Sequence, residues 1–211
     1  MREDYIQFGC GLCAPLTWRN FDAGPAFWLQ KNLPFIKRAV VRRGFPDYPA
    51  NIEYGDVIEG LPVAERSAPG AYCSHVLEHL ALNEFRVTLQ HVFSYLKPGG
   101  VFRLVVPDLE YFARLYVNSD RVDASITFMR EAHLGEADKT RGLGDMAKSL
   151  FGRSRHLTMW DYKVMAAELD RVGFTRIRRA SFNDAEDPRF LDVEELGRWE
   201  NCLGVECRRP I

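Results

Sequence analysis

The sequence has neither a strong charge imbalance nor a long hydrophobic run. Its 211 residues include 28 Lys and Arg and 29 Asp and Glu, which gives a formal net charge of −1. This balance provides no overall field to attract nucleic acid or anionic lipid. No stretch approaches the roughly 18 apolar residues of a membrane span, and the start, Met1-Arg2-Glu3-Asp4, lacks the basic and apolar regions of a signal peptide. We therefore expect a cytoplasmic protein with no membrane span and no nucleic-acid partner.

The cysteines are too few and too irregularly spaced for a disulfide framework. There are five, an odd number, and a domain of this length buries about 70% of its unfolded surface without covalent cross-links. Reduced thiols are therefore expected. Cys10-x-x-Cys13 has no second pair of this spacing, because Cys202 and Cys207 are five positions apart. The pattern argues against both a redox pair and a zinc site built from cysteines.

Short apolar runs alternate with helical patterns along the chain. Four runs that end in small or polar residues are typical of strands: Tyr5–Phe8, Trp18–Phe21, Ile52–Tyr54 and Ala71–Cys73. Apolar residues at helical spacing follow from Val76, and Lys97-Pro98-Gly99-Gly100 ends that helix. Further strands are predicted over Val101–Val106, Phe174–Ile177 and Cys202–Cys207, and a helix over Tyr162–Val172. The alternation predicts a single α/β domain over 1–211 with a mostly parallel sheet.

Small and polar residues stand where these strands end. They are Gly9, Asp22, Asp56, Ser74, His75, Pro107 and Asp108. The carboxyl ends of parallel strands share one edge of a sheet, and open α/β sheets bind their ligands there. We therefore expect a ligand crevice at this edge.

The turn Gly9-Cys10-Gly11 lets a ligand approach the backbone closely, since glycine has no side chain. A dinucleotide site would require a third glycine, where Ala14 stands, and a full helix before its acidic residue. Asp22 follows the turn too closely for that helix, so nothing remains to hold a pyrophosphate. A cofactor without phosphates fits better, with Asp22 binding a ribose diol and Asp56 an adenine amino group.

Five motifs in order resemble those of class I S-adenosylmethionine-dependent methyltransferases, in particular small bacterial, type-11-like members with a shortened first crossover. The motifs are Ile6–Gly11, Asp22, Gly55-Asp56 with Leu61-Pro62, Ser74–Leu80 and Leu96–Gly100. The resemblance implies a Rossmann-like methyltransferase sheet, mostly parallel with an antiparallel last strand, and helices on both faces. It also implies S-adenosylmethionine as the cofactor and methyl transfer as the reaction.

The resemblance further implies roles for the residues of the crevice. In chain order these are Gly9, Cys10 and Gly11 beside the methionine moiety, Asp22 at the ribose, Asp56 and Val57 at the adenine, and Ser74 and His75 near the sulfonium. The missing third glycine and the shortened helix leave the partner of the methionine carboxylate unassigned.

Methyl transfer from a sulfonium mainly requires an aligned acceptor and the exclusion of water. Where the acceptor is a hydroxyl, a general base helps and histidine suits neutral pH, so His75 and His156 are the catalytic candidates. By analogy with similar small bacterial proteins, we expect a small molecule or a glycan as the acceptor, with methyl transfer to one of its oxygen atoms. Asp108 and Trp160 are predicted to contact it.

The segment of about 111–160 falls between the fifth strand and the late helix, outside the family motifs. Its features are unsuited to a plain crossover and include Met129, His133, Gly135, Gly142, Gly144, Phe151, Gly152 and His156. Glycines at this density interrupt helices and permit loop movement. We expect a lid that closes over the strand ends and contacts the acceptor.

Two other functions are compatible with the sequence. A catalytically silent S-adenosylmethionine-binding module would keep the same glycines and acidic residues. His75-x-x-Glu78-His79 also matches the signature of a zinc peptidase family, in which histidines four positions apart bind zinc and the glutamate acts as base. A zinc-dependent hydrolase would need a further acidic ligand that the sequence does not place, and the same residues close the strand-to-helix motif of the methyltransferases. We therefore expect no metal requirement.

Overall fold

The computed structural model describes residues 4–33, 37–38, 41–42, 46–134 and 155–211. The predicted lid over 111–160 is therefore described only at its two ends. Its glycines at positions 135, 142, 144 and 152 lie outside the described residues, and the lid stays a prediction. Within the described residues, no helix combines the length and apolar character needed to cross a membrane.

Seven strands form one sheet, in the order β3-β2-β1-β4-β5-β7-β6. They are β1 (Tyr5–Phe8), β2 (Trp18–Asp22), β3 (Ile52–Tyr54), β4 (Ala68–Ser74), β5 (Leu96–Pro107), β6 (Thr175–Ala180) and β7 (Cys202–Arg208). Strands β1 to β5 pair in parallel, whereas β7 runs antiparallel to both β5 and β6. The predicted mostly parallel sheet with an antiparallel last strand is confirmed.

The described helices connect these strands. They are α1 (Pro25–Asn32), α2 (Leu82–Tyr95), α3 (Leu109–Val117), α4 (Ala124–Glu131) and α5 (Tyr162–Val172). The Ala81 amide before α2 donates to the Glu84 carboxylate at 2.8 Å, and the Val164 amide of α5 donates to the Asp161 carboxylate at 2.8 Å. Both contacts satisfy amides that have no partner within the helix. Helix α5 ends at Gly173, whose φ of +107° is in the left-handed region.

Two predicted boundaries differ from the observed ones. The helix expected from Val76 is a short 3-10 turn over Leu77–His79 and becomes α-helical only at Leu82. Strand β5, expected from Val101, already pairs with β4 at Leu96, and the glycine-rich stop bulges between these two pairs. Lys97-Pro98-Gly99-Gly100 therefore ends the helix as predicted, but these residues belong to the irregular first part of β5.

Helices α2 and α5 cover one face of the sheet. The core there includes Phe85 and Leu89 of α2, Met165 and Leu169 of α5, and Phe102 of β5, each without exposed surface. Burial of apolar side chains on this scale is the main favourable term in folding.

On the opposite face, Phe27 of α1 packs against Ile52 of β3, so helices lie on both faces as predicted. The rest of this face packs mainly against the segment between β6 and β7. Phe190, Val193 and Trp199 of that segment form a buried cluster with Tyr72 of β4 and other sheet residues. The connection between β1 and β2, residues 9–17, contains no helix, which confirms the shortened first crossover. The chain thus covers this part of the sheet with a late segment instead of a first crossover helix.

Candidate active site

The turn after β1 requires glycine at both ends. Gly9 and Gly11 have φ values of +62° and +56°, where side chains introduce strain. A Cβ on Gly9 would also lie 2.2 Å from the Val76 Cγ2 atom. Between them, Cys10 is buried and its amide donates to the Phe21 carbonyl at 3.2 Å. The turn is therefore fixed in shape and exposes backbone rather than side chains.

The Asp22 carboxylate, at the end of β2, is oriented by two backbone amides. Gly11 donates to its Oδ2 at 2.9 Å and Gly24 donates to its Oδ1 at 2.7 Å. A carboxylate oxygen accepts more than one hydrogen bond, so the group can hold the glycine turn and still accept from a ligand hydroxyl. Asp22 is the structural link between the ends of β1 and β2.

Asp56 and Val57 follow β3 at the same edge of the sheet. The Asp56 Oδ1 accepts from the Ile58 amide at 2.8 Å, which fixes the turn. Val57 is buried, and its carbonyl lies 2.9 Å from the His91 Nδ1. At the preceding residue, Gly55, a Cβ would lie 2.8 Å from the Leu61 side chain, so the close packing of this turn favours glycine.

Ser74 and His75 end β4. The Ser74 Oγ is buried and has no hydrogen-bond partner among the described residues. His75 has a φ of +56°, and its Nε2 lies 3.0 Å from the Arg198 carbonyl. Burial lowers the pKa of its imidazole, but the neighbouring Cys202 thiol and Glu78 carboxylate raise it by more, to about 10. The ring is therefore protonated on both nitrogens at neutral pH and cannot accept a further proton.

Arg198 reaches the glycine turn from the 3-10 helix before β7. Its Nη1 donates to the Ser74 carbonyl at 3.4 Å, and its Nε donates to the Glu195 carboxylate at 3.0 Å. Its Nη2 would lie 3.3 Å from a Cβ on Gly11. The sequence analysis missed this residue, because no motif connects it with the turn.

The sequence predicts acceptor contacts from Asp108 and Trp160, and the structure gives both residues structural partners. Asp108 accepts from the Glu110 amide at 2.9 Å as the N-cap of α3, and it lies 3.6 Å from Arg179. The Trp160 ring is 2% exposed and stacks on Phe85 with 4.1 Å between ring centroids. The Trp160 ring is therefore part of the core, and its contact with an acceptor, like that of Asp108, stays a prediction.

His156 lies beside the end of β4 rather than alone in a loop. Its ring centroid is 5.1 Å from those of His79 and His133, and ligand atoms of Glu78, His79 and His156 all lie within 4.8 Å of one another. Burial lowers the pKa of His156; the Glu78 carboxylate opposes this, and the two histidine rings add to it. The sequence analysis noted Glu78 and His79 but did not place His156 next to them.

Gly9, Gly11, Asp22, Asp56 and Ser74 therefore lie along one edge of the sheet, as predicted. The glycine turn forms a cradle that side chains would fill. Acidic groups at adjoining strand ends can accept from ribose hydroxyls and an adenine amino group. The residues present thus fit an adenosyl cofactor without phosphates.

Comparison with solved structures identifies the fold. A chain from the complex between the Haloferax volcanii Trm112 methyltransferase activator and a methyltransferase is 14% identical, with a TM-score of 0.50, over 99% of this chain and 83% of that one. An S-adenosylmethionine-dependent methyltransferase of Thermotoga maritima, described as a possible histamine N-methyltransferase, is 13% identical, with a TM-score of 0.50, over 98% and 82%.

A longer similar structure is the apo form of the S-adenosylmethionine-dependent methyltransferase SibL. The two chains are 13% identical, with a TM-score of 0.49, over 99% of the present chain. The present chain spans only 51% of the length of SibL. No family model and no curated protein sequence match the chain. Strand order, strand direction and these similarities together establish that the chain has the Rossmann-like methyltransferase fold.

Proposed function

We propose that the protein is an S-adenosylmethionine-dependent methyltransferase. The observation that carries the proposal is the arrangement of the left-handed glycine turn, Asp22 and Asp56 along one edge of the sheet. Gly9, Cys10 and Gly11 would flank the methionine moiety and Asp22 would bind the ribose. Asp56 and Val57 would hold the adenine, and Ser74 would lie near the sulfonium.

Arg198 completes this assignment. The missing third glycine leaves the methionine carboxylate without a partner on the first crossover, and a guanidinium lies beside the Gly11 end of the turn. Arginine binds carboxylates with charge-assisted, often paired hydrogen bonds. We assign the carboxylate to Arg198, so that the late segment supplies what the shortened crossover lacks.

The bound cofactor supplies an activated methyl group. The residues of this chain then have to align the acceptor and exclude water. His75 is held as a cation by its neighbours, so we assign it to positioning the end of β4 rather than to proton transfer. His156 as general base, and a small-molecule or glycan hydroxyl as acceptor, stay predictions that turnover measurements must test.

The decisive experiment is calorimetric titration with S-adenosylhomocysteine, with NAD as the control ligand. We expect a dissociation constant in the micromolar range, about −8 kcal/mol, and no binding of NAD. Binding of NAD without binding of the adenosyl compound would overturn the assignment. Transfer of a labelled methyl group to a panel of hydroxyl acceptors would then separate an enzyme from a catalytically silent binding module.

A further inference from the structure

A second cluster lies beside the edge that holds the proposed cofactor site. Glu78 and His79 belong to the 3-10 turn after β4, and His156 comes from the segment before α5. The amides of Leu157 and Thr158 donate to the Glu78 carbonyl at 2.7 and 3.1 Å. These backbone bonds hold the His156 segment against the turn, so the cluster is built into the fold.

Glu78 is a buried carboxylate with an ion-pair partner at one of its two oxygens. Its side chain is 0% exposed, and neither carboxylate oxygen has a hydrogen bond among the described residues. The His75 Nδ1 lies 3.2 Å from its Oε1 as an ion pair, which offsets part of the cost of burying the carboxylate. A buried carboxylate is costly unless it is hydrogen-bonded, paired or bound to a metal. His75 pairs with Oε1, whereas Oε2 has no hydrogen-bond partner among the described residues.

The histidines present nitrogen atoms to the same point. The His79 Nδ1 lies 3.1 Å from the Arg155 carbonyl, and the His79 Nε2 lies 3.9 Å from the Glu78 Oε1. Metal-binding histidines characteristically donate their other nitrogen to a carbonyl or carboxylate. The His156 Nδ1 is buried and has no hydrogen-bond partner among the described residues.

We propose that Glu78, His79 and His156 bind a first-row divalent transition-metal ion of the zinc type. Two imidazole nitrogens and one carboxylate are a donor set that such ions prefer, and three protein ligands leave a coordination position for an external ligand. Ligand atoms around tetrahedral zinc lie roughly 3.4 Å apart, given bonds of about 2.0–2.2 Å. Closing the cluster from its present 4.8 Å spread therefore requires movements of about 1 Å.

The site differs from the zinc hydrolase pattern considered for the sequence. That pattern uses His75, whose nitrogens face the Arg198 carbonyl and Glu78, and it treats Glu78 as a base rather than a ligand. Here the third ligand is His156, 77 positions after His79 in the chain. The expectation of no metal requirement rested on the lack of a further ligand in the sequence.

The test is zinc binding by protein that has been dialysed against a chelator and titrated in competition with a chromophoric chelator. We expect one equivalent per chain, and at least tenfold weaker binding by E78Q, H79Q and H156Q. H91Q is the matched control, because the His91 ring contacts the Val57 carbonyl and lies outside the cluster; it should bind zinc like the wild type.

Circular dichroism and S-adenosylhomocysteine titration of each variant separate loss of the site from loss of the fold. H156Q changes a partly exposed side chain, so it remains informative if the buried E78Q variant fails to fold. The proposal would be overturned if the wild-type protein failed to bind one equivalent of zinc in the titration. It would also be overturned if H79Q and H156Q bound zinc as tightly as the wild type. Zinc binding by a protein that binds no adenosyl compound would support this site and contradict the proposed function.

Discussion

The buried Arg103 guanidinium donates to the buried Glu194 carboxylate, which connects the middle of the sheet to the segment between β6 and β7. Arg103 also donates to Asp184 at 2.9 Å and to Glu206 at 3.0 Å, and it lies 4.8 Å from the centre of the Trp199 ring. Each partner offsets part of the cost of burying the charge. The network holds the segment between β6 and β7 against the sheet. That segment contains Arg198, which lies beside the proposed cofactor site.

Replacing Arg103 with methionine should destabilise the protein by about 3–5 kcal/mol, because it leaves buried carboxylates without their cation. Urea unfolding measures the change. The matched control is Arg121→Met, which breaks an exposed 2.8 Å ion pair with Asp123 and should leave the unfolding midpoint unchanged. Equal midpoints for both variants would contradict a stabilising role for the network.

Trp160→Ala should destabilise the fold rather than weaken acceptor binding alone. The ring fills core space against Phe85, and removing a buried aromatic side chain costs about 3–5 kcal/mol. Trp28→Ala, at a side chain that is 47% exposed, should have little effect on the same urea transition. An unchanged unfolding midpoint for Trp160→Ala would contradict a stabilising role of the ring in the core.

Local sequence signals were sufficient to predict the sheet and the edge at which its parallel strands end. Parallel strands that end in glycine or aspartate bring those ends together whatever the lengths of the connections, so Gly9, Asp22 and Asp56 could be grouped without a structure. The missing crossover helix was also visible, since only residues 9–17 separate β1 from β2. The segment that covers the sheet in place of this helix could not be predicted.

Contacts between distant segments explain the rest. Arg103 and Glu194 are 91 positions apart, and Arg198 and Ser74 are 124 apart. Periodicity reports which face of an element is apolar, but not which later segment covers it. The same limit applies to Trp160, because an aromatic residue in a loop has the same local pattern whether it enters the core or contacts a substrate.

Asp22→Ala should weaken the binding of S-adenosylhomocysteine by roughly 1–3 kcal/mol, because it removes a charged acceptor from two hydroxyl donors. Asp56→Ala should cost less, about 1 kcal/mol, since it leaves only an amino group without its partner. Calorimetry measures both. Because the Asp22 carboxylate also holds Gly11 and Gly24, unfolding curves must show that the variant is folded; an unchanged dissociation constant would mean that Asp22 does not bind the ribose.

Arg198→Met distinguishes the methionine end of the cofactor from its adenosine end. We expect about tenfold weaker binding of S-adenosylhomocysteine, near 1.4 kcal/mol, through loss of a charge-assisted contact, and unchanged binding of adenosine, which has no carboxylate. Arg208→Met is the control, because that guanidinium pairs with Glu186 and the Gly99 carbonyl, away from the glycine turn. Equal losses for both ligands would assign Arg198 to the structure of the turn instead.

The five cysteines should divide into two reactivity classes. Burial, with smaller effects of Asp22 and Cys13, raises the pKa of Cys10 to about 12, and burial raises the pKa values of Cys73 and Cys207 well above the usual range. The thiolate is the reactive form, so at pH 8 these three should react with a disulfide reagent only after unfolding. The partly exposed Cys13 and Cys202 should react in the native protein, Cys13 more slowly because burial raises its pKa. Counting released chromophore before and after adding denaturant measures both classes. Bound S-adenosylhomocysteine should leave the reaction rate of Cys202 unchanged. Rapid reaction of all five thiols in the native state would contradict the close packing of the glycine turn.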